Sequence, residues 1–161
     1  MGSRGTVKCN NSRCDVCNYV FPGDSFSCHV TSSSYTINSR LDCYSRNVIY
    51  LISCKVCGLQ YVCSTTTKFR LGVNNHKRRL RVHSKMSDAD KETDDIIYKH
   101  FHSPGHQGLA DLSIQIIDKV NDKDALIAKE GQWATDCDHW DLMVSMTAIS
   151  FLARIAGQEI I

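Results

Sequence analysis

The sequence lacks any run of about 18 apolar residues, so it offers no candidate membrane-spanning helix. It lacks an apolar leader of roughly 15–30 residues before its cysteines. That absence predicts an intracellular, reducing setting, nuclear or cytoplasmic. It lacks an excess of either charge. The net is +2 over 161 residues, so total charge names no partner. It contains no internal repeat. Residues 1–45 carry Ser-rich loops and little hydrophobic periodicity, and apolar burial alone gives them little to fold on. From Ser64 to Lys85 there is no acid at all, but there are seven Lys or Arg. Five acids crowd the stretch Ser87–Ile96 that follows. This segregation sets a basic surface beside an acidic loop. The surface would be built by Lys68, Arg70, Lys77, Arg78, Arg79 and Arg81.

What is abundant is cysteine. Nine thiols in an intracellular chain point to metal ligation more than to disulfides, and an odd count argues against a closed disulfide framework. Cys54 and Cys57 form a C-x₂-C knuckle, a spacing that lets two thiolates meet one tetrahedral zinc. His100 and His106, on HFHSPGH, are the economical partners, with His102 between them as a competitor. Cys9, Cys14 and Cys17 form a second set, whose fourth ligand is assigned to Cys43, with Cys28 and His29 as alternatives. Cys63 and Cys137 are left as packing residues. Two structural zinc ions per chain are therefore expected.

The local pattern predicts an α+β domain. NVIYLIS (47–53) and LQYVC (59–63) read as two strands of an antiparallel hairpin, and LSIQIID (112–118) alternates like a third. Thr65–Thr67 are placed to cap a basic helix running to about His83. Gly72 sits inside that helix at a cost of up to about 1 kcal/mol against Ala. IIYKHFH (96–102) reads as a short helix stopped by Ser103-Pro104-Gly105, and Asp122 caps another through Trp133. The expected fold is a small three-stranded antiparallel sheet flanked by helices. It carries a zinc-stapled N-terminal extension over 1–45 and a helical tail over 144–161.

The order of VIY, a short insert with C-x₂-C, YVC, a basic helix with His, and a later Glu resembles the GIY-YIG nuclease superfamily. In detail, YLISCKVCGLQYV, HFHSPGH and the DC-x-S-x-NVIY entry resemble the endonuclease domain of Penelope-like retroelements. The resemblance covers about residues 9–133 and places the nuclease-like domain at 46–143. It implies metal-dependent hydrolysis of a DNA phosphodiester, with Tyr50 helping to activate water. Tyr61 and His76 would engage the scissile phosphate, and Glu130 would hold Mg²⁺ or Mn²⁺. The implied partners are DNA and a reverse transcriptase domain upstream in a longer chain, with no membrane and no small-molecule substrate.

The sequence departs from that family at three places. Gly72 stands where an arginine one helical turn before His76 is expected, Cys63 where the second tripeptide ends in Gly, and Met143 where an Asn is expected. Removing a preorganised charge donor from a phosphate site costs on the order of 10²–10³ in rate. The expectation is a nuclease of impaired activity, or its non-catalytic, zinc-bearing, DNA-binding descendant.

Overall fold

The computed structural model describes residues 4–81 and 96–137. The helical tail, the acidic stretch 87–95, the far end of the basic helix and Met143 lie outside the described residues, as does the side chain of Arg81.

β5 (Val48–Cys54) and β6 (Gln60–Thr65) form the expected antiparallel hairpin, and β7 (Leu112–Lys119) pairs with the other side of β5. The three-stranded order is β6-β5-β7. β5 is buried at every position but Ser53. A strand with one wet face would alternate, so this run needs cover on both sides. Tyr50 points to helix α1 (Phe69–Arg81), where its ring meets Phe69 and His76. Leu51 and Ser53 face a groove shared with the N-terminal segment. α2 (Ile96–Phe101) and α3 (Lys123–Cys137) complete the helices among the described residues. None of these is long and apolar enough to cross a membrane.

The N-terminal segment builds four short strands: β1 (Gly5–Thr6), β2 (Ser25–Cys28), β3 (Ser33–Thr36) and β4 (Arg40–Leu41). β1 pairs with β4 in parallel, and β2 with β3 antiparallel. The segment also covers the outer edge of β7. The Ile114 N–H donates to Tyr19 O at 2.8 Å, and the Phe21 N–H to Ile114 O at 2.8 Å. The Thr6 hydroxyl donates to Ile116 O at 2.6 Å. An unpaired edge would otherwise invite association. Val16, Val20, Phe26, Ile37 and Leu41 enter the same core as the sheet. The sequence conceals this contribution because it comes from strands of two to four residues and the turns beside them, too short to show a period.

Two helix starts differ in kind. Asp122 caps α3 as expected, its Oδ1 accepting from the Ala125 N–H at 2.8 Å. α1 is not capped by its threonines. Its first N–H groups donate to loop carbonyls, Phe69 to Ser45 O at 2.8 Å and Arg70 to Cys43 O at 2.9 Å. Gly72 also acquires a reason. A Cβ there would lie 3.2 Å from Thr65 Cβ, so the glycine allows α1 to close onto the end of β6. Reading Gly72 only as a replacement overlooked this contact.

Candidate metal centres and an adjoining cleft

The hairpin turn supplies the first half of one centre. Cys54 ends β5, and Gly58 takes φ +76°, which an L side chain rarely adopts. The turn closes through Gly58 N–H to Cys54 O at 2.9 Å and brings both thiols to one side. His100 comes from the last turn of α2, and the Ser103–Gly105 turn brings His106 back beside it. The four ligand atoms of Cys54, Cys57, His100 and His106 lie within 4.8 Å of one another. Cys57 Sγ is 3.3 Å from His100 Nε2. Bonds of about 2.0–2.3 Å to a tetrahedral zinc would space its donors by about 3.3–3.8 Å, so the group fits such an ion closely.

The surroundings of His106 support the same reading. The Ser103 hydroxyl gives its proton to His100 O at 2.6 Å, so at 2.9 Å it must accept from His106 Nδ1–H. The lone pair of the neutral ring then lies on Nε2, which is shielded from solvent beside the Cys57 thiol. Ligand histidines are commonly oriented in this way through their other nitrogen. Burial raises the Cys54 pKa. Burial also pushes Cys57 up, but hydrogen bonds led by that from His106 outweigh it and hold the thiol below its usual range. His106 is raised in turn, chiefly by its bond to Cys57. His102 does not compete. Its ring packs on Tyr98 at 4.6 Å, outside the group.

The second group is Cys9, Cys14, Cys17 and Cys43, again within 4.8 Å of one another. Cys17 Sγ lies 3.5 Å from both Cys9 Sγ and Cys43 Sγ. Burial and then the neighbouring Cys17 and Cys14 thiols drive the Cys43 pKa far up. Four thiols packed this tightly cannot all ionise without a cation, and a soft divalent ion relieves that repulsion. Both groups can hold a metal, and their donors are compatible with zinc. Neither alternative for the fourth ligand is used. His29 Nδ1 lies 2.8 Å from Gly58 O. Cys28 is joined to Cys137 in a buried disulfide across 109 positions. That pairing corrects the expectation for Cys137 as a simple packing residue. Phe26 and Tyr35 meet Trp133 edge-to-face, which brings the end of α3 to β2.

Beside β6 lies a cleft of about 360 Å³, lined by Tyr50, Ser64, Asn75, His76, Arg78 and Arg79 among others. Tyr50 Oη is 2.9 Å from His76 Nε2. The Ser64 hydroxyl donates to Glu130 Oε2, which ties α3 to the cleft wall. Burial, with smaller contributions from Cys63 and Glu130, raises the Tyr50 pKa well above the usual tyrosine range, so its hydroxyl keeps its proton. Tyr50, His76 and Glu130 are thus brought together. Tyr61 is not among the residues lining the cleft. It stands three residues nearer the hairpin turn than Ser64, its ring 5.5 Å from that of His100. Ser64 and Asn75 went unnoticed in the sequence, where a serine after YVC and a helix asparagine carry no signal.

One assigned cation is misplaced. Lys77 is 2% exposed, ion-paired to Asp15 and set 5.3 Å over the Tyr19 ring, so it cannot meet a partner at the surface. Its position in a run of cations hid the fact that it faces the core. The remaining cations divide. Arg78 and Arg79 line the cleft, whereas Lys68 and Arg70 sit over the Tyr44 ring.

No protein-family model, curated protein or solved structure matches the chain.

Proposed function

We propose that this chain is a metal-dependent DNA endonuclease of the GIY-YIG type, nicking one strand by hydrolysis, and that it works slowly. The observation that carries this reading is the cleft. A protonated tyrosine bonded to a histidine lines it with two arginines, and a carboxylate is bonded to the serine in its wall. Those are the parts that phosphodiester hydrolysis requires. His76 takes a proton from water or passes one through Tyr50. Arg78 and Arg79 hold the phosphate, whose charge grows as water adds to phosphorus and the alkoxide leaves. Glu130 would hold Mg²⁺ or Mn²⁺ through its hard carboxylate oxygen. Such an ion, when bound, supplies Lewis-acid stabilisation of the phosphate and leaving oxygen. The slowness follows from Gly72, which leaves the floor of the cleft beside His76 without a cation, and from Cys63. Placement in a retroelement beside a reverse transcriptase rests on the C-x₂-C and histidine-pair resemblance. On this reading Tyr61 steadies the histidine side of the metal centre.

Purified protein, supercoiled plasmid and Mg²⁺ or Mn²⁺ test the proposal. Nicking above a Glu130→Ala control is expected, and equal rates would refute it. A second reading is a non-catalytic DNA-binding module. It is favoured by the engagement of Glu130 with Ser64 and by Thr65, which closes the space at Gly72. That reading requires DNA affinity to fall steeply with salt while nicking stays absent.

A further inference from the structure

The cations of α1 do not form one surface. At about 100° per residue, position 70 lies roughly 160° round the helix from position 72, away from the cleft. There Arg70 meets the loop that follows Cys43. Tyr44 in this loop is 37% exposed. Its backbone is pinned by a bond from Tyr44 N–H to Asp42 Oδ1 at 2.9 Å. Its hydroxyl accepts from Asn11 Nδ2 at 2.8 Å. Lys68 Nζ and the Arg70 guanidinium lie 5.7 and 5.6 Å from the ring centre. An exposed ring already fixed at both ends loses little freedom on binding.

We propose that Tyr44, Lys68 and Arg70 form a second nucleic-acid site, which takes single-stranded DNA. A base takes the ring face that Lys68 and Arg70 cover, and these two side chains swing out to pair with the adjacent phosphates. Every nucleobase has a face to stack, so the site is tolerant of sequence. A blunt duplex keeps its bases stacked on each other and gains nothing from the ring. The eight-residue step from Arg70 to Arg78 is about 12 Å along the helix, so one strand can span both sites. The inference rests on the DNA reading above but not on cleavage.

The test is fluorescence anisotropy of the full metal-loaded chain with labelled oligothymidine and with a blunt duplex at one salt concentration. Tyr44→Ala is expected to weaken single-strand binding roughly tenfold while changing duplex binding less than about twofold. Tyr44→Trp should retain single-strand affinity. Tyr44→Leu carries the same expectation as the alanine variant if the latter does not fold. Unchanged single-strand affinity in these variants would overturn the site. So would equal loss on both DNAs, which would mark a phosphate contact alone, or an acidic peptide that binds as tightly as oligothymidine. Tyr44-dependent strand binding without nicking would leave this site standing and remove the nuclease reading. Glu130-dependent nicking with Tyr44-independent strand binding would do the reverse.

Discussion

Individual residues show how one sequence run can hold opposite roles. Lys77 sits in a run of seven cations, yet among the described ones it alone is buried, where it pairs with Asp15. Removing its partner leaves a buried ammonium, so Asp15→Asn should cost about 2 kcal/mol in urea unfolding. Lys77→Met added to Asp15→Asn should recover much of that, because apolar replacement of a buried pair is often neutral. No recovery would mean that the pair itself contributes the stability. At Gly72, alanine would normally gain up to about 1 kcal/mol in helix propensity. The close Thr65 contact predicts no gain in the thermal midpoint for Gly72→Ala and no rescue of nicking by Gly72→Arg alone. A clear rise in either would show that Thr65 yields. Tyr50 has a raised folded-state pKa, so its contribution to stability is complete below about pH 10 and is lost as pH rises further. The stability difference between the wild type and Tyr50→Phe should therefore shrink in alkali, and a constant difference would contradict the assignment.

At the scale of elements, the metal groups do more than close loops. The hairpin turn carries Cys54 and Cys57, so β5 and β6 are stapled at one end. The Cys43 loop gives its carbonyls to the start of α1, and the turn between Cys14 and Cys17 supplies Asp15 to Lys77 further along the same helix. Metal in the four-cysteine group would thus set the pose of the helix that carries His76. Elemental analysis should find two zinc ions per chain. Cys14→Ser should lose one of them and lower helix content, whereas two ions retained would remove the four-cysteine site. α3 depends on other contacts, the aromatic packing of Trp133 and the Cys28–Cys137 disulfide. Closing a loop of 109 residues predicts that Cys137→Ser costs about 2–4 kcal/mol in non-reducing buffer, with little difference from wild type under a phosphine reductant. The hairpin, the third strand and the Asp122 cap were legible because each rests on local chemistry: β-branched runs and a side chain beside its own helix. The α1 cap was not legible, since its acceptors are backbone carbonyls more than twenty residues away.

Over the whole molecule, seven of the eight metal-ligand candidates could be read from spacing, because cysteine and histidine pairs declare themselves by short intervals, whereas Cys43 stood as one of three choices for the fourth ligand of its group. What could not be read was how the N-terminal segment joins the sheet. Its hydrogen bonds to Ile114 and Ile116 span about a hundred positions, and its core residues lie in strands and turns too short to carry a pattern. The cleft was half legible. Tyr50, His76 and Glu130 converge, but Tyr61 goes to the metal centre and Lys77 to the core. The central claim is that this convergence still cuts DNA. The most direct measurement is the initial rate of plasmid nicking in Mn²⁺ by the wild type, set against Glu130→Ala and His76→Ala at matched zinc content. The account predicts a slow wild-type rate that falls at least tenfold in both variants, about 1.4 kcal/mol of transition-state stabilisation each. Three indistinguishable rates would contradict it.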